Sequence, residues 1–509
     1  MTDNALRLLR QHPRLAGLAA FPFDFDLARA ADGHIEPVRL ASGGPLAVVA
    51  GDDTGGSYFV CADGSVLYAS SDGVAGIIGS SVDEALEIVV GLPGWGAYVA
   101  LSGADGEAKI LAEIARTEDE IREYHGIDEE RVALRAGLGL PERSPVELVA
   151  MLHTALLRTE PDFLLLNDEE GHAYEPLLDG PRPPLWEPVL ARGRADLALL
   201  RAGDPTAAEA MRADAVRRRV VLRAAQFDRA DGDLGLLRRL LRLEASASMT
   251  EELRLAAMLV GRFGRAADLP LLHEVRETDY DTACGLSELP GLDAGGAELA
   301  RWAQWLDTSR FGTDPADEPL LTWTGLALDQ GMTEHARVAL IHELDGIETD
   351  QSRLRRPDAP DRLNPAPLGS LAREFRRLGD LGQALRAQRL YAALLETAWD
   401  RVSARLTQSR LEREEGLAVQ AVGTLAAVRA VLADPGDGSV AYWRRVNLGR
   451  FIAEEHYTLA NALADARLPQ QARAVLAAGD AILGELSDQA AKGVRQLAEE
   501  TATWVWGVS

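Results

Sequence analysis

The side chains that most often bind metal ions are few in this sequence and widely spaced. It has nine histidines: His12, His34, His125, His153, His172, His273, His335, His342 and His456. None of them forms an HExxH or HxxxH pair, and only two cysteines, Cys61 and Cys284, could supplement them. The sequence therefore predicts no metal site.

Motifs for cofactor binding and covalent catalysis are also missing from the sequence. No GxGxxG or GxxxxGK[ST] loop opens a predicted helix to cradle a phosphate, and no GxSxG elbow presents a serine nucleophile. Cys61 lies within a predicted strand, where packing as a small apolar residue is favoured over nucleophilic use. We therefore predict no cofactor and no catalytic residue. An enzyme would need a cluster of polar residues with perturbed pKa values, which the sequence does not reveal.

Four aspartates, Asp52, Asp53, Asp63 and Asp72, are concentrated in one glycine-rich stretch. A calcium loop would alternate its ligands with other residues and close on a glutamate, and this stretch does neither. Aspartate beside glycine also favours turns, which is the interpretation we prefer. A second unusual stretch, Asp279 to Leu286, is either an ordinary connection between helices or the wall of a pocket, and the sequence leaves both open.

The elements that position the four aspartates extend from Gly43 to Leu92. Three short apolar runs, Leu46–Val49, Tyr58–Cys61 and Val66–Tyr68, alternate with turn residues and predict a meander of strands. The dipeptide Asp63-Gly64 predicts a two-residue hairpin, because both residues tolerate positive φ. Ser81 followed by Glu84 predicts a capping box at the start of a helix.

This meander resembles the core of the SUKH superfamily. The resemblance rests on Ala50-Gly51-Asp52, Gly55-Gly56, Tyr58-Phe59-Val60, the strand from Asp63 to Tyr68, and the helix start from Ser81 to Leu86. It covers about a tenth of the chain well and extends over roughly its first fifth. It implies an immunity protein that binds and neutralises a toxin domain, often a nuclease, and it implies an α+β fold for this part of the chain.

Charge is distributed unevenly along the 509 residues. The whole chain carries −26, and residues 1–183 alone carry 31 acidic and 13 basic side chains, with no lysine or arginine between Arg39 and Lys109. An acidic surface serves solubility, or it attracts a basic partner while repelling nucleic acid and anionic lipid. No apolar run has the length of about 20 residues that a membrane helix needs. The N-terminus lacks the apolar core of a signal peptide, so we expect a cytoplasmic protein with no direct contact to nucleic acid or membrane.

The chain beyond residue 189 is predicted to be almost entirely helical. Gly232-Asp233-Leu234 and Asp268-Leu269 precede similar leucine pairs, which resembles a HEAT turn in which aspartate caps the second helix. A glycine followed five residues later by alanine resembles the tetratricopeptide pattern, where glycine turns the chain and alanine allows close approach of two helices. Its instances are Gly331 with Ala336, Gly379 with Ala384, Gly416 with Ala421, and a degenerate Arg467 with Ala472.

We therefore predict an α+β N-terminal domain, an antiparallel meander with helices, followed by a mainly α helical-repeat solenoid. The expected domains are 1–183, SUKH-like with a helical extension; 184–310, HEAT-like; and 311–509, tetratricopeptide-like. The predicted function is non-enzymatic binding of a protein, a basic toxin domain in the first instance. The predicted contact residues are Asp52, Asp53, Tyr58, Asp63, Tyr68 and Asp72. The alternative is a helical-repeat scaffold or regulator that binds a protein or peptide on its concave face.

Overall fold

The structure is a computed structural model that describes residues 4–507. Its N-terminal part combines a small antiparallel sheet with helices, and the remainder is mainly helical, which confirms the predicted fold class. The chain divides into two compact units, each assembled from separate segments. The first unit comprises 1–31, 47–164 and 176–339, and the second comprises 32–46, 165–175 and 340–509. These limits do not coincide with the divisions expected after residues 183 and 310, and the three domain labels stay predictions.

The strands form one sheet of five and one of two, in the orders β2-β3-β4-β5-β7 and β1-β6. Their bounds are β1 Val38–Leu40, β2 Leu46–Gly51, β3 Ser57–Cys61, β4 Val66–Ala69, β5 Val74–Gly79, β6 Leu165–Asn167 and β7 Glu175–Pro176. In the meander, Tyr58 of β3 lies opposite Tyr68 of β4. A bulge between Val66 and Leu67 then shifts the register of β4 against β5.

The turn between β3 and β4 differs from the predicted two-residue hairpin. The amide of Cys61 donates to the carbonyl of Ser65 (2.9 Å), which leaves three residues in the loop. Gly64 has a positive φ of 90°, whereas Asp63 does not take a positive φ. The two-residue type I′ turn needs positive φ at both central positions, so the observed φ of Asp63 excludes it here.

Helices cover the meander within the first unit. The N-terminal helices are α1 Asn4–Gln11, α2 Pro13–Ala20, α3 Val82–Gly91, α4 Glu107–Arg122, α5 Ile127–Leu138 and α6 Pro145–Leu156. The predicted start of α3 is present, since Ser81 Oγ accepts from the amide of Glu84 (3.1 Å), but Glu84 Oε2 accepts from the amide of Ser80 (3.2 Å) and so does not complete the predicted capping box. At the start of α6, Ser144 and Glu147 form a reciprocal capping box. The apolar face of α3, formed by Val82, Leu86, Val89 and Val90, is fully buried and packs with α6 in the core of the meander.

The first unit continues as a series of packed helices: α7 Trp186–Arg201, α8 Pro205–Ala213, α9 Ala215–Phe227, α10 Leu234–Glu244, α11 Glu251–Gly261, α12 Leu269–Arg276, α13 Tyr280–Gly285, α14 Gly296–Leu306 and α15 Leu320–Asp329. Asp233 and Asp268 precede α10 and α12, yet neither side chain caps its helix, contrary to expectation. Each carboxylate instead pairs with an arginine, Arg201 (2.7 Å) and Arg238 (2.6 Å) respectively. Both aspartates are buried, so a charged partner satisfies them better than a single amide does.

Helix α16, Thr333–Thr349, runs from the first unit into the second. The other helices of the second unit are α17 Ala366–Arg377, α18 Leu381–Ala393, α19 Ala398–Glu414, α20 Ala418–Ala433, α21 Asn447–Asp465, α22 Pro469–Glu485, α23 Asp488–Ala491 and α24 Val494–Gly507. Strand β1 covers only Val38–Leu40, and it pairs with β6 rather than with the meander. None of the helices between residues 4 and 507 combines the length and apolar content that crossing a membrane requires.

Four turns between consecutive helices share one backbone conformation. Gly331, Gly379, Gly416 and Arg467 all have φ between +59° and +80°, the left-handed region that glycine adopts most readily. The alanines five residues later have no exposed surface: Ala336, Ala384, Ala421 and Ala472. The glycine-alanine pattern therefore marks tight turns and close packing, as expected. The names of the repeat families stay predictions.

Candidate functional site

The connection between β2 and β3 is organised by one buried carboxylate. Asp52 is 6% exposed, and its Oδ1 accepts from the amide of Thr54 (2.9 Å), the Thr54 hydroxyl (2.9 Å) and the amide of Gly56 (2.7 Å). The Tyr68 hydroxyl donates to the other oxygen, Oδ2, at 2.5 Å. A Cβ at position 56 would collide with both this hydroxyl and Oδ2, so the glycine is required. The carboxylate therefore fixes the loop that carries Asp53.

A row of aromatic rings in tilted and edge-to-face contact supports this loop from the interior. The ring centroids of Phe25 and Tyr58 lie 4.9 Å apart, those of Tyr58 and Tyr68 5.0 Å, and those of Tyr68 and Trp95 5.0 Å. The Trp95 indole donates to the Tyr58 hydroxyl at 3.3 Å. Burial raises the pKa of both phenols above the ordinary range, so both remain neutral hydrogen-bonding groups. Tyr58 and Tyr68 thus shape the site from within.

The segment after α2 brings another carboxylate to the same place. Asp26 forms a bridge with Gly51, exchanging backbone hydrogen bonds of 2.9 and 3.0 Å, which holds Asp24 beside the β2–β3 loop. Asp24 has a φ of +53°, which aspartate tolerates better than most residues. Burial, followed by the charges of Asp53 and Asp52, raises the pKa of Asp24 from 3.8 to about 6. We refer to Asp24, Asp52, Asp53 and Asp72 as the acidic end of the meander.

Exposed aromatic side chains border the acidic end. The ring of Phe21, 58% exposed, meets the ring of His125 edge to face at 4.5 Å, and Tyr124 beside it is 77% exposed. His125 is close enough to Asp24 to oppose the rise of its pKa. We refer to Phe21, Tyr124 and His125 as the aromatic rim. The sequence analysis missed the rim and Asp24, because their approach to the meander depends on long-range packing. The alternation of Phe and Asp over residues 21–26 is the one local signal.

The structure separates the six predicted contact residues into three groups. Asp52, Tyr58 and Tyr68 are buried, so they do not present a contact surface themselves. Asp53 and Asp72 are exposed at one end of the meander, where the hydroxyl of Ser71 donates to the carbonyl of Thr54 (3.0 Å) and joins their two loops.

Asp63 is exposed at the opposite end of the meander, because successive turns of a meander alternate between its ends. There it accepts from the Ser65 amide (2.9 Å) and pairs with Arg158 (3.4 Å).

Cys61 and the stretch from Asp279 to Leu286, also considered from the sequence, have structural roles. Cys61 is buried, and burial raises the pKa of its thiol to about 12, which leaves it protonated and unreactive. Asp279 caps α13 by accepting from the amide of Thr282 (2.8 Å). At the end of the same stretch, Gly285 and Leu286 line a cavity of about 270 Å³ beside Trp305, so part of the stretch forms a pocket wall. Within residues 4–507, no three His, Cys, Asp or Glu side chains are arranged to hold a metal ion.

Comparison with known proteins gives no match: no protein-family profile, no curated protein and no solved structure is significantly similar to this chain.

Proposed function

We propose that this protein is a non-enzymatic binding protein whose acidic end contacts a basic protein partner. The resemblance to SUKH proteins suggests an immunity-type role, in which the partner is a toxin domain, nuclease-like and basic where it grips phosphate. A cytoplasmic location fits that role. The proposal is supported by the geometry of the acidic end and by the chemistry of its border.

The observation that carries the proposal is the clustering of Asp24, Asp52 and Asp53, whose negative charges are only partly offset by nearby cations. Burial, together with the charges of the neighbouring Asp53 and Asp52, raises the pKa of Asp24 from 3.8 to about 6. Arg29 pairs with Asp26 at 3.6 Å on the exposed surface, so it offsets little of this repulsion. Like charges held together weaken the free protein, and a cationic partner would relieve the repulsion on binding.

The aromatic rim is the second feature that supports a protein interface at the acidic end. Large aromatic side chains carry a disproportionate share of binding energy when a partner covers them, and carboxylates around them favour a complementary cationic surface. Phe21 and Tyr124 are more than half exposed and adjoin the acidic end. A partner that combines arginine or lysine with apolar groups therefore fits this surface.

The proposal is tested by affinity capture from native cytoplasm with the intact chain as bait. A parallel bait carries Asp24→Asn, Asp53→Asn and Asp72→Asn, and the matched control carries Asp63→Asn at the far end of the meander. We expect a basic protein that is retained by the wild type and the control, released by raised salt, and lost from the triple variant. Equal retention by all three baits would contradict the proposal.

The alternative function, a helical scaffold, is favoured by a separate observation. Trp305 on α14 is 50% exposed and borders the cavity of about 270 Å³, together with Arg254 and Arg310. Exposed tryptophan beside arginine is typical of surfaces that bind proteins or peptides. A partner captured equally by the triple variant and lost with Trp305→Ala would support this alternative.

A further inference from the structure

A cavity in the second unit is lined mainly by cationic and polar groups, in contrast to the acidic character of the chain. Its volume is about 370 Å³, within the usual range for small-molecule sites. Its lining includes Arg445, Asn447, Arg450, Gln489, Lys492 and Gly493. Lys492 is one of two lysines in the sequence.

Two of the cations in this lining lack an acidic partner. Arg445 and Lys492 are exposed, and neither forms an ion pair with any residue between 4 and 507. Arg450 pairs with Glu454 at 2.7 Å on the exposed surface, an interaction that contributes little. Close by in the sequence, Arg444 pairs with Glu485 and Arg495 with Asp488, so these two carboxylates already have arginine partners. The excess of positive charge lies on Arg445 and Lys492.

The backbone at the cavity wall adds to this positive potential. Helix α21 begins at Asn447 and runs for 19 residues, and no side chain caps its first turn. Helix α24 begins at Val494, directly after Gly493. The amides of an uncapped first turn are unsatisfied donors with partial positive charge, which favours an anion beside them. The side-chain cations and the start of α21 thus both contribute positive potential to the cavity.

We propose that this cavity binds a compact phosphate-bearing molecule, with Arg445 and Lys492 as its principal contacts. Arginine forms paired hydrogen bonds to phosphate oxygens, and lysine neutralises the charge as a mobile point cation. Among residues 4–507, none that lines the cavity has an aromatic ring to stack against a nucleobase. The ligand class is therefore a small phosphate or phosphomonoester rather than a nucleotide recognised through its base.

Isothermal titration calorimetry on the full chain tests this assignment, with inorganic phosphate, pyrophosphate, glycerol 3-phosphate and sulfate as probes at constant ionic strength. We expect pyrophosphate to bind more tightly than sulfate. Each of Arg445→Ala and Lys492→Ala should weaken binding about tenfold, because each removes a charge-assisted contact. Lys492→Arg should retain binding. Arg429→Ala, an exposed arginine on α20 of the same unit, is the matched control and should change nothing.

Both alanine variants alter exposed side chains, so the fold should persist, and circular dichroism checks it. Binding of glycerol 3-phosphate would assign a phosphomonoester, and its exclusion would assign the free inorganic anion. Failure of both phosphate and pyrophosphate to bind, equal affinity for sulfate, or unchanged affinity in both Arg445→Ala and Lys492→Ala would overturn the inference. None of these outcomes depends on whether the acidic end of the first unit binds a protein.

Discussion

The Tyr68 hydroxyl donates to Asp52 Oδ2 at 2.5 Å in a buried pair that connects β4 to the β2–β3 loop. The three other hydrogen bonds to this carboxylate all reach Oδ1, so within the described part of the chain Tyr68 alone donates to Oδ2. Two residues predicted as contacts for a partner therefore hold the loop that presents Asp53 to solvent. Their role in binding is to position another residue.

Tyr68→Phe should lower the free energy of unfolding by about 2 kcal/mol, because it leaves a buried carboxylate oxygen without a donor. Tyr442→Phe is the matched control, since Tyr442 is 67% exposed and should be replaceable at no cost. Urea unfolding at pH 7.5 measures both variants. A loss no larger for Tyr68→Phe than for the control would show that the hydrogen bond does not stabilise the loop.

Asp24→Asn should stabilise the protein above pH 6 and leave it unchanged below pH 4. The folded protein raises the pKa of Asp24 from 3.8 to about 6, so folding favours the protonated acid and the ionised form costs stability as the pH rises through that interval. Asp24 is only partly buried, and solvent screening reduces the expected gain at pH 7.5 to about 1 kcal/mol. Thermal unfolding at pH 3.5 and 7.5 measures the difference, with Asp63→Asn as the control that should show no such gain.

The fold class and the local turns could be predicted because they depend on near neighbours. Apolar runs separated by Asp and Gly fix the strands, and Ser81 fixes the start of α3. The site could be predicted only in part. Successive turns of the meander alternate between its two ends, so Asp63 lies at the end away from Asp53. The prediction that grouped the four aspartates did not consider this consequence of the strand order. Asp24 and the aromatic rim reach the site through tertiary packing, which no local pattern encodes.

Arg467→Gly should stabilise the second unit by about 1 kcal/mol. Arg467 has a φ of +59° at a turn where the equivalent residues are glycines, and a residue with a Cβ is strained there. The same replacement in the middle of a helix, Arg429→Gly on α20, should instead cost about 1 kcal/mol. Chemical unfolding of both variants measures whether the unfolding free energy rises or falls in each. Destabilisation by Arg467→Gly would mean that the arginine side chain compensates for its own strain.

His456 should make the protein less stable as the pH falls from 6.5 towards 4. Its Nδ1 contacts the carbonyl of Ile452 (2.8 Å), its Nε2 is buried without a partner, and burial lowers its pKa from 6.5 to about 4. The unfolded chain therefore binds more protons in this interval, and about 2 kcal/mol of the stability at pH 7.5 is lost by pH 5. In His456→Gln the fall in unfolding free energy between these pH values should be smaller by that amount. The same replacement at the exposed His12 should leave the fall unchanged.

The central claim, that the acidic end binds a basic protein, is tested most directly by the affinity of the purified chain for the captured partner. We would measure the dissociation constant at low and at raised salt for the wild type, for the Asp24, Asp53 and Asp72 triple variant, and for Asp63→Asn. We predict that the triple variant binds at least about tenfold more weakly at low salt and loses most of the salt dependence, while Asp63→Asn matches the wild type. Equal affinities and equal salt dependence for the wild type and the triple variant would contradict the claim.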